Sequence, residues 1–154
     1  DATPLPFDAN HVALLNRWQA HKVDLGKSSC EGVMDQVRLD NRSALHLRVA
    51  RGEGILSWRT KAFLPEGRYR FEALARTAHV APLTNAVERG NGAGLRISGD
   101  KRAHQLTGDT PWTPLRHEFE VPAGGDEKEL VCELRASGGE AWFALDSLKL
   151  VRAR

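Results

Sequence analysis

The sequence predicts an all-β fold, an antiparallel sandwich, and three observations carry that reading. Segments of alternating polarity recur along the chain, turns rich in Gly, Pro, Asn and Asp separate them, and no β–α–β pattern interrupts them. The clearest alternation runs over Arg68–Ala75. There Tyr69, Phe71, Ala73 and Ala75 point one way, and Arg68, Arg70, Glu72 and Leu74 the other. Near the C-terminus Leu130, Cys132 and Leu134 alternate with Val131, Glu133 and Arg135, and the apolar stretch Ala141–Val151, carrying Asp146, closes the sheet.

The remaining elements follow in order. Val12, Leu15 and Trp18 have helical spacing over too short a span, so 10–20 is expected to be a loop or a single turn. Leu45, Leu47 and Val49 alternate with His46 and Arg48, and Arg51-Gly-Glu-Gly54 makes the next turn. Ile55–Phe63 reads as a strand with Leu56, Trp58 and Thr60 on one face and Ser57, Arg59 and Lys61 on the other, stopped at Leu64-Pro-Glu-Gly67. Residues 79–92 read as a long loop, Gly94–Gly99 as a short strand and Thr107–Pro111 as a turn. Leu115, His117, Phe119 and Val121 alternate with Arg116, Glu118 and Glu120 before the turn at Pro122–Asp126, and Ser137-Gly-Gly139 links to the last strand. Gly90-Asn-Gly-Ala-Gly94 is glycine-rich but precedes no helix, so it is not a phosphate cradle.

Bulk properties narrow the function. A chain of 154 residues, 41% hydrophobic and 27% charged, suits one ordinary domain spanning 1–154. The 22 basic and 20 acidic residues are interspersed and leave a net charge of +2, so no basic patch points to nucleic acid. No apolar run reaches the ~18 residues of a membrane span. The chain opens at Asp1 without Met, which favours a module of a larger, exported protein, extracellular or periplasmic. Cys30 and Cys132 admit two readings, a disulfide in an oxidising compartment or a buried thiol plus a loop cysteine. No Cys/His cluster has zinc-site spacing, no Gly-x-Ser-x-Gly elbow is present, and the six histidines are dispersed.

Three stretches together resemble the carbohydrate-binding modules of the galactose-binding-like jelly-roll type. They are Leu64-Pro-Glu-Gly-Arg-Tyr-Arg-Phe-Glu-Ala73, Thr110-Pro-Trp-Thr-Pro-Leu-Arg-His-Glu-Phe-Glu-Val121 and Trp142-Phe-Ala-Leu-Asp-Ser-Leu-Lys-Leu150. Phe7-Asp8 followed by Trp18, and Ser43–Leu47, resemble the opening of such modules, so the ordered set covers most of the chain. The resemblance implies jelly-roll topology, a polysaccharide or oligosaccharide ligand, and a structural calcium held by Asp8 and Asp146.

The candidate ligand residues are Trp58, Arg70, Glu72, Arg96, Glu133 and Arg135. If their strands adjoin in one sheet, the five charged residues form an alternating polar face. Arginine forks there would bond sugar hydroxyls or carboxylates, and Trp58 could stack on a sugar ring. The plain alternative is a solvated sheet face with weak cross-strand ion pairs. The loops 84–94 and 100–111 are further candidate contact points. Three functions are in view: a non-catalytic sugar-binding accessory module beside neighbouring domains, an interaction module that keeps the fold without a sugar site, and a jelly-roll enzyme acting on glycans. The flanking arginines would keep Glu72 and Glu133 ionised, which argues against a raised-pKa catalytic acid.

Overall fold

The alternating segment at 68–75 becomes the spine of the larger of two sheets. The computed structural model describes residues 4–25, 30–84, 91–102 and 104–153. The strands are β1 (Val12–Leu14), β2 (Gln19–Leu25), β3 (Glu31–Leu39), β4 (Arg42–Arg51), β5 (Glu53–Leu64), β6 (Gly67–Ala81), β7 (Gly92–Ile97), β8 (Gly108–Val121), β9 (Asp126–Ala136), β10 (Gly138–Ala144) and β11 (Lys149–Arg152). β6 pairs along one edge with β8 and along the other with β10 and β11 in tandem. β10 continues to β4 and β3, and β11 to β1, giving a seven-stranded sheet. The second sheet has four strands in the order β2-β5-β9-β7. All paired strands are antiparallel, and from β4 to β10 the chain changes sheet at every connection.

The core fills the space between the sheets with the side chains that alternation assigned inward. Leu45, Leu47, Tyr69, Phe71 and Phe143 come from the larger sheet, and Leu56, Leu95, Ile97, Leu130 and Leu134 from the smaller, all fully buried. At roughly 25 cal/mol per Å2 of apolar surface, this layer is the main source of stability. Cys30 and Cys132 are both buried thiols, Cys132 within the core cluster beside Leu95 and Trp58 in register.

Three expectations are corrected. Residues 10–20 hold two edge strands, β1 and β2, because His11 and Arg17 take left-handed backbone angles (φ 63° and 61°) that break the run at both sides of β1. β8 begins at Gly108, inside the expected turn, and pairs with the far end of β6 through bulges at Ala75/Thr77 and Thr77/Val80. The closing segment is two strands, not one: a single 3-10 turn at Leu145–Ser147 separates β10 from β11 and carries Asp146.

The smaller sheet has an unusual outer face. Val131, Glu133 and Arg135 of β9 point outward yet are buried. The segment after β7 folds back over them: Leu106 pairs with Ala93, and Arg102 lies against Gly94 and bonds Gly92. Glycine is required here, since a Cβ at Gly92 would sit 2.2 Å from the Leu106 carbonyl oxygen and one at Gly94 2.7 Å from Cδ of Arg102.

Candidate functional site

The sandwich separates the residues expected to act together. Arg70 and Glu72 lie on the outer face of the seven-stranded sheet, whereas Arg96, Glu133 and Arg135 lie on the outer face of the four-stranded sheet. The single charged row is therefore corrected to two groups on opposite faces. Glu72 and Glu133 cannot act as an acid–base pair across a glycosidic bond, because both layers of the sandwich stand between them.

Trp58 points into the core rather than toward solvent. Only 8% of it is accessible, and its indole N–H donates to the backbone oxygen of His46 at 3.2 Å, tying the two sheets together. It offers no ring face to a ligand, so its expected stacking role is corrected to core packing. Inward placement follows from its parity with Leu56, both being on the apolar side of β5.

Glu133 is enclosed by three guanidinium groups. Arg96 donates from Nε and Nη2 to its Oε2 at 3.2 and 3.1 Å, Arg135 Nε donates to Oε1 at 2.8 Å, and Arg102 Nε stands 3.8 Å away. The Glu133 side chain has no accessible surface. Burial pushes its carboxyl up, but hydrogen bonds from Arg135 and Arg96 and the charge of Arg102 outweigh that, and the net displacement is downward. Burial in turn draws the Arg102 guanidinium down to about 10. This closed cluster is structural in its geometry. Arg102 lies in a connection with no periodicity, so no sequence signal marked it. Of the candidate loops, residues 85–90 and 103 lie outside the described residues.

Asp8 and Asp146 do not converge on a cation. Asp8 Oδ1 accepts the backbone N–H groups of Asn10 and Val12 at 2.8 and 3.0 Å, which closes the turn into β1. Val12 pairs with Val151, near the end of β11, while Asp146 precedes the start of β11 and stands 3.9 Å from Arg42. Calcium takes six to eight oxygens, and the described residues hold no group of three or more metal-ligating side chains. The two carboxylates therefore do not share one site among the described residues. With the two carboxylates apart, chelation with EDTA is expected to leave the melting temperature within about 1 °C of the untreated protein; a larger drop, read by differential scanning calorimetry, would restore a calcium site at Asp8 or Asp146.

The outer face of the seven-stranded sheet gathers the functional groups that remain. Across it, in register, run Asp35 of β3, His46 of β4, Trp142 of β10 and Arg76 of β6. His46 meets Asp35 Oδ1 at Nδ1 (2.7 Å) and Glu140 Oε1 at Nε2 (2.8 Å), which fixes the imidazole plane. Trp142 stacks on that plane with ring centroids 5.3 Å apart, and it remains partly exposed. Trp112 of β8 lies on the same face, its indole N–H donating to Asp40 at 2.9 Å, and Arg42 lies 5.4 Å above its ring. Asp40 also accepts from Arg76. The tip of the β3–β4 hairpin, Asp40-Asn41, thus reaches across the sheet and is pinned there. Both residues have positive φ (52° and 61°), as a two-residue hairpin turn requires.

One pleat along β6 from Arg76, Leu74 and Glu72 line a cleft of about 750 Å3 whose walls include Pro114, Arg116, Lys149 and Arg42. Glu72 is the one predicted ligand residue in its lining; Arg70 stands beside it, its Nε 2.8 Å from Glu72 Oε2. Trp142 faces out by parity, since Ala141 and Phe143 on either side of it are fully buried.

No protein-family model matches the chain, and no curated protein does. Solved structures do. The carbohydrate-binding module TmCBM61, in complex with β-1,4-galactotriose, superposes over 96% of this chain and 98% of its own, with a TM-score of 0.53 and 11% identity. This chain shares the β-sandwich fold of that module. The enzymatically active domain of tailspike protein 4 of bacteriophage CBA120 matches over 88% of this chain, also at a TM-score of 0.53 and 11% identity, but this chain spans only 19% of that one. At such identity the likeness concerns the module fold and no residue roles.

Proposed function

We propose that this chain is a non-catalytic carbohydrate-binding module that holds its ligand on the outer face of the seven-stranded sheet. The observation that carries this is the pair of tryptophans on that face: Trp142, partly exposed and braced by His46, with Trp112 across β6 on β8 and a cleft one pleat away. A sugar presents its C–H face to an indole ring and its hydroxyls to nearby carboxylates and guanidinium groups, and the face supplies Glu140, Asp35 and Arg76 for that purpose. The likeness to a module seen with an oligosaccharide supports the ligand class. In this reading the module belongs to an exported protein that meets extracellular glycans, and works beside neighbouring domains.

Isothermal titration against a panel of soluble polysaccharides tests the reading. Trp142→Ala is expected to weaken binding by about tenfold or more, as for a central aromatic anchor. The melting temperature should move little, because the ring is on the surface. If no polysaccharide binds at millimolar concentration, or if Trp142→Ala and Trp112→Ala both bind as the parent does, this placement of the ligand is wrong.

A further inference from the structure

The cleft beside the tryptophan pair is ringed by cations whose hydrogen-bonding capacity the fold leaves unused. Arg42 Nη1 stands 3.9 Å from Asp146, Arg116 Nε 3.7 Å from Glu118, and Lys149 Nζ 3.9 Å from Glu72. Each is a charge contact beyond hydrogen-bond length. Several other arginine pairs are tight: Arg59 with Glu129 at 2.9 Å, Arg70 with Glu72 at 2.8 Å and Arg135 with Glu133 at 2.8 Å. Glu72 spends Oε2 on Arg70 and turns Oε1 toward Lys149 without reaching hydrogen-bond length. A guanidinium carries five donors and an ammonium three, so the three side chains bring many unspent N–H groups to one opening. All three remain accessible, Arg116 most of all at 61%.

The rest of the lining complements these donors. Leu74 and Pro114 pair in register and give the floor an apolar strip. Glu72 and Asp146 offer carboxylate acceptors on either side. His104 adds no charge to the wall: burial, with the nearby His117 and Arg102, holds its imidazole below the usual histidine range, and its Nε2 accepts the Arg116 backbone N–H at 3.2 Å. The lining therefore holds three cations against two carboxylates.

We propose that this cleft binds a uronate, a sugar unit bearing a carboxylate, within the glycan that the module recognises. The inference rests on the carbohydrate reading above. A planar carboxylate matches the fork of Arg116 or Arg42 in a bidentate pair, with Lys149 as the point charge. The pyranose C–H face lies on Leu74 and Pro114, and the ring hydroxyls donate to Glu72 and Asp146. A bare phosphate or sulfate would use the cations but neither the apolar strip nor the two acceptors.

The test is titration of the full chain with oligogalacturonate, oligomannuronate and hyaluronan fragments, each beside its carboxyl-reduced counterpart, with neutral galactan and glucan alongside. At least one uronate is expected to bind about tenfold tighter than its reduced form, the value of one charge-assisted bidentate pair. That advantage should shrink between about 20 mM and about 500 mM salt, as the Debye length shortens. Arg116→Gln and Lys149→Met are expected to remove the advantage, each weakening the charged form by about tenfold, with the melting temperature unchanged. Equal binding of the charged and reduced forms overturns the uronate assignment, as does binding of the neutral glycans alone; in both cases the carbohydrate reading stands. Failure of every glycan to bind overturns both.

Discussion

Glu133→Gln is expected to lower the stability by about 3 kcal/mol at pH 7, seen as a melting temperature lower by roughly 6–12 °C for a chain of this size. Glutamine keeps the volume but removes the charge that holds Arg96, Arg102 and Arg135 together on the buried face of β9. Three guanidinium groups would then face one another with no counter-charge in a site closed to water. Breaking a buried pair costs more than the pair itself contributes, because the uncompensated charge stays behind. The pH dependence has a definite sign. The carboxyl of Glu133 is held below its ordinary value in the folded chain. Its contribution is therefore complete above the unfolded-state value of about 4.3 and disappears as pH falls through the lower folded-state value. Melting curves of parent and variant should differ most at neutral pH and converge in acid. A gap that persists unchanged at the lowest pH would mean that packing, not charge, is responsible.

Trp58→Ala is expected to destabilise the protein by about 3–5 kcal/mol, the usual cost of removing a large buried ring. The indole fills the layer between the sheets and donates to the His46 carbonyl. Trp58→Phe separates the two contributions: it keeps most of the volume and loses the hydrogen bond, at about 1–2 kcal/mol. Chemical denaturation measures both. In the still-folded population, Trp58→Ala should bind glycans far better than Trp142→Ala does. Lost binding at unchanged stability would return Trp58 to the ligand site.

The strands were legible wherever alternation was clean. Parity along β6, β8 and β9 placed Phe71, Leu115 and Leu134 in the core correctly. Parity says which side of its own strand a residue faces, but not which sheet the strand joins. That is why Arg70 and Glu72 could be grouped with Arg96, Glu133 and Arg135, although β6 and β9 belong to different layers. Nor does polarity report exposure when another segment folds over a face, as Arg102 does over Glu133. The arrangement around Trp142 escaped notice for a different reason. Trp142, His46 and Asp35 are distant in sequence and meet only through the register of β10, β4 and β3. One part of the site was open to local reading: Leu39-Asp-Asn-Arg42 has the two central residues that a tight hairpin turn favours.

The alternation of the chain between layers has a kinetic consequence. Among the described residues, β3–β4 is the one pairing of sequence neighbours; every other ladder joins strands with at least one strand between them along the chain. Loop closure must therefore come before the contacts that reward it, which places folding in the slow regime of milliseconds to seconds common to β-sandwiches. The β3–β4 hairpin can form alone within about 1–10 μs, but Asp40 has no Arg76 or Trp112 to hold until β6 and β8 arrive. The outer face of the seven-stranded sheet is thus complete only once β6 and β8 have joined the hairpin.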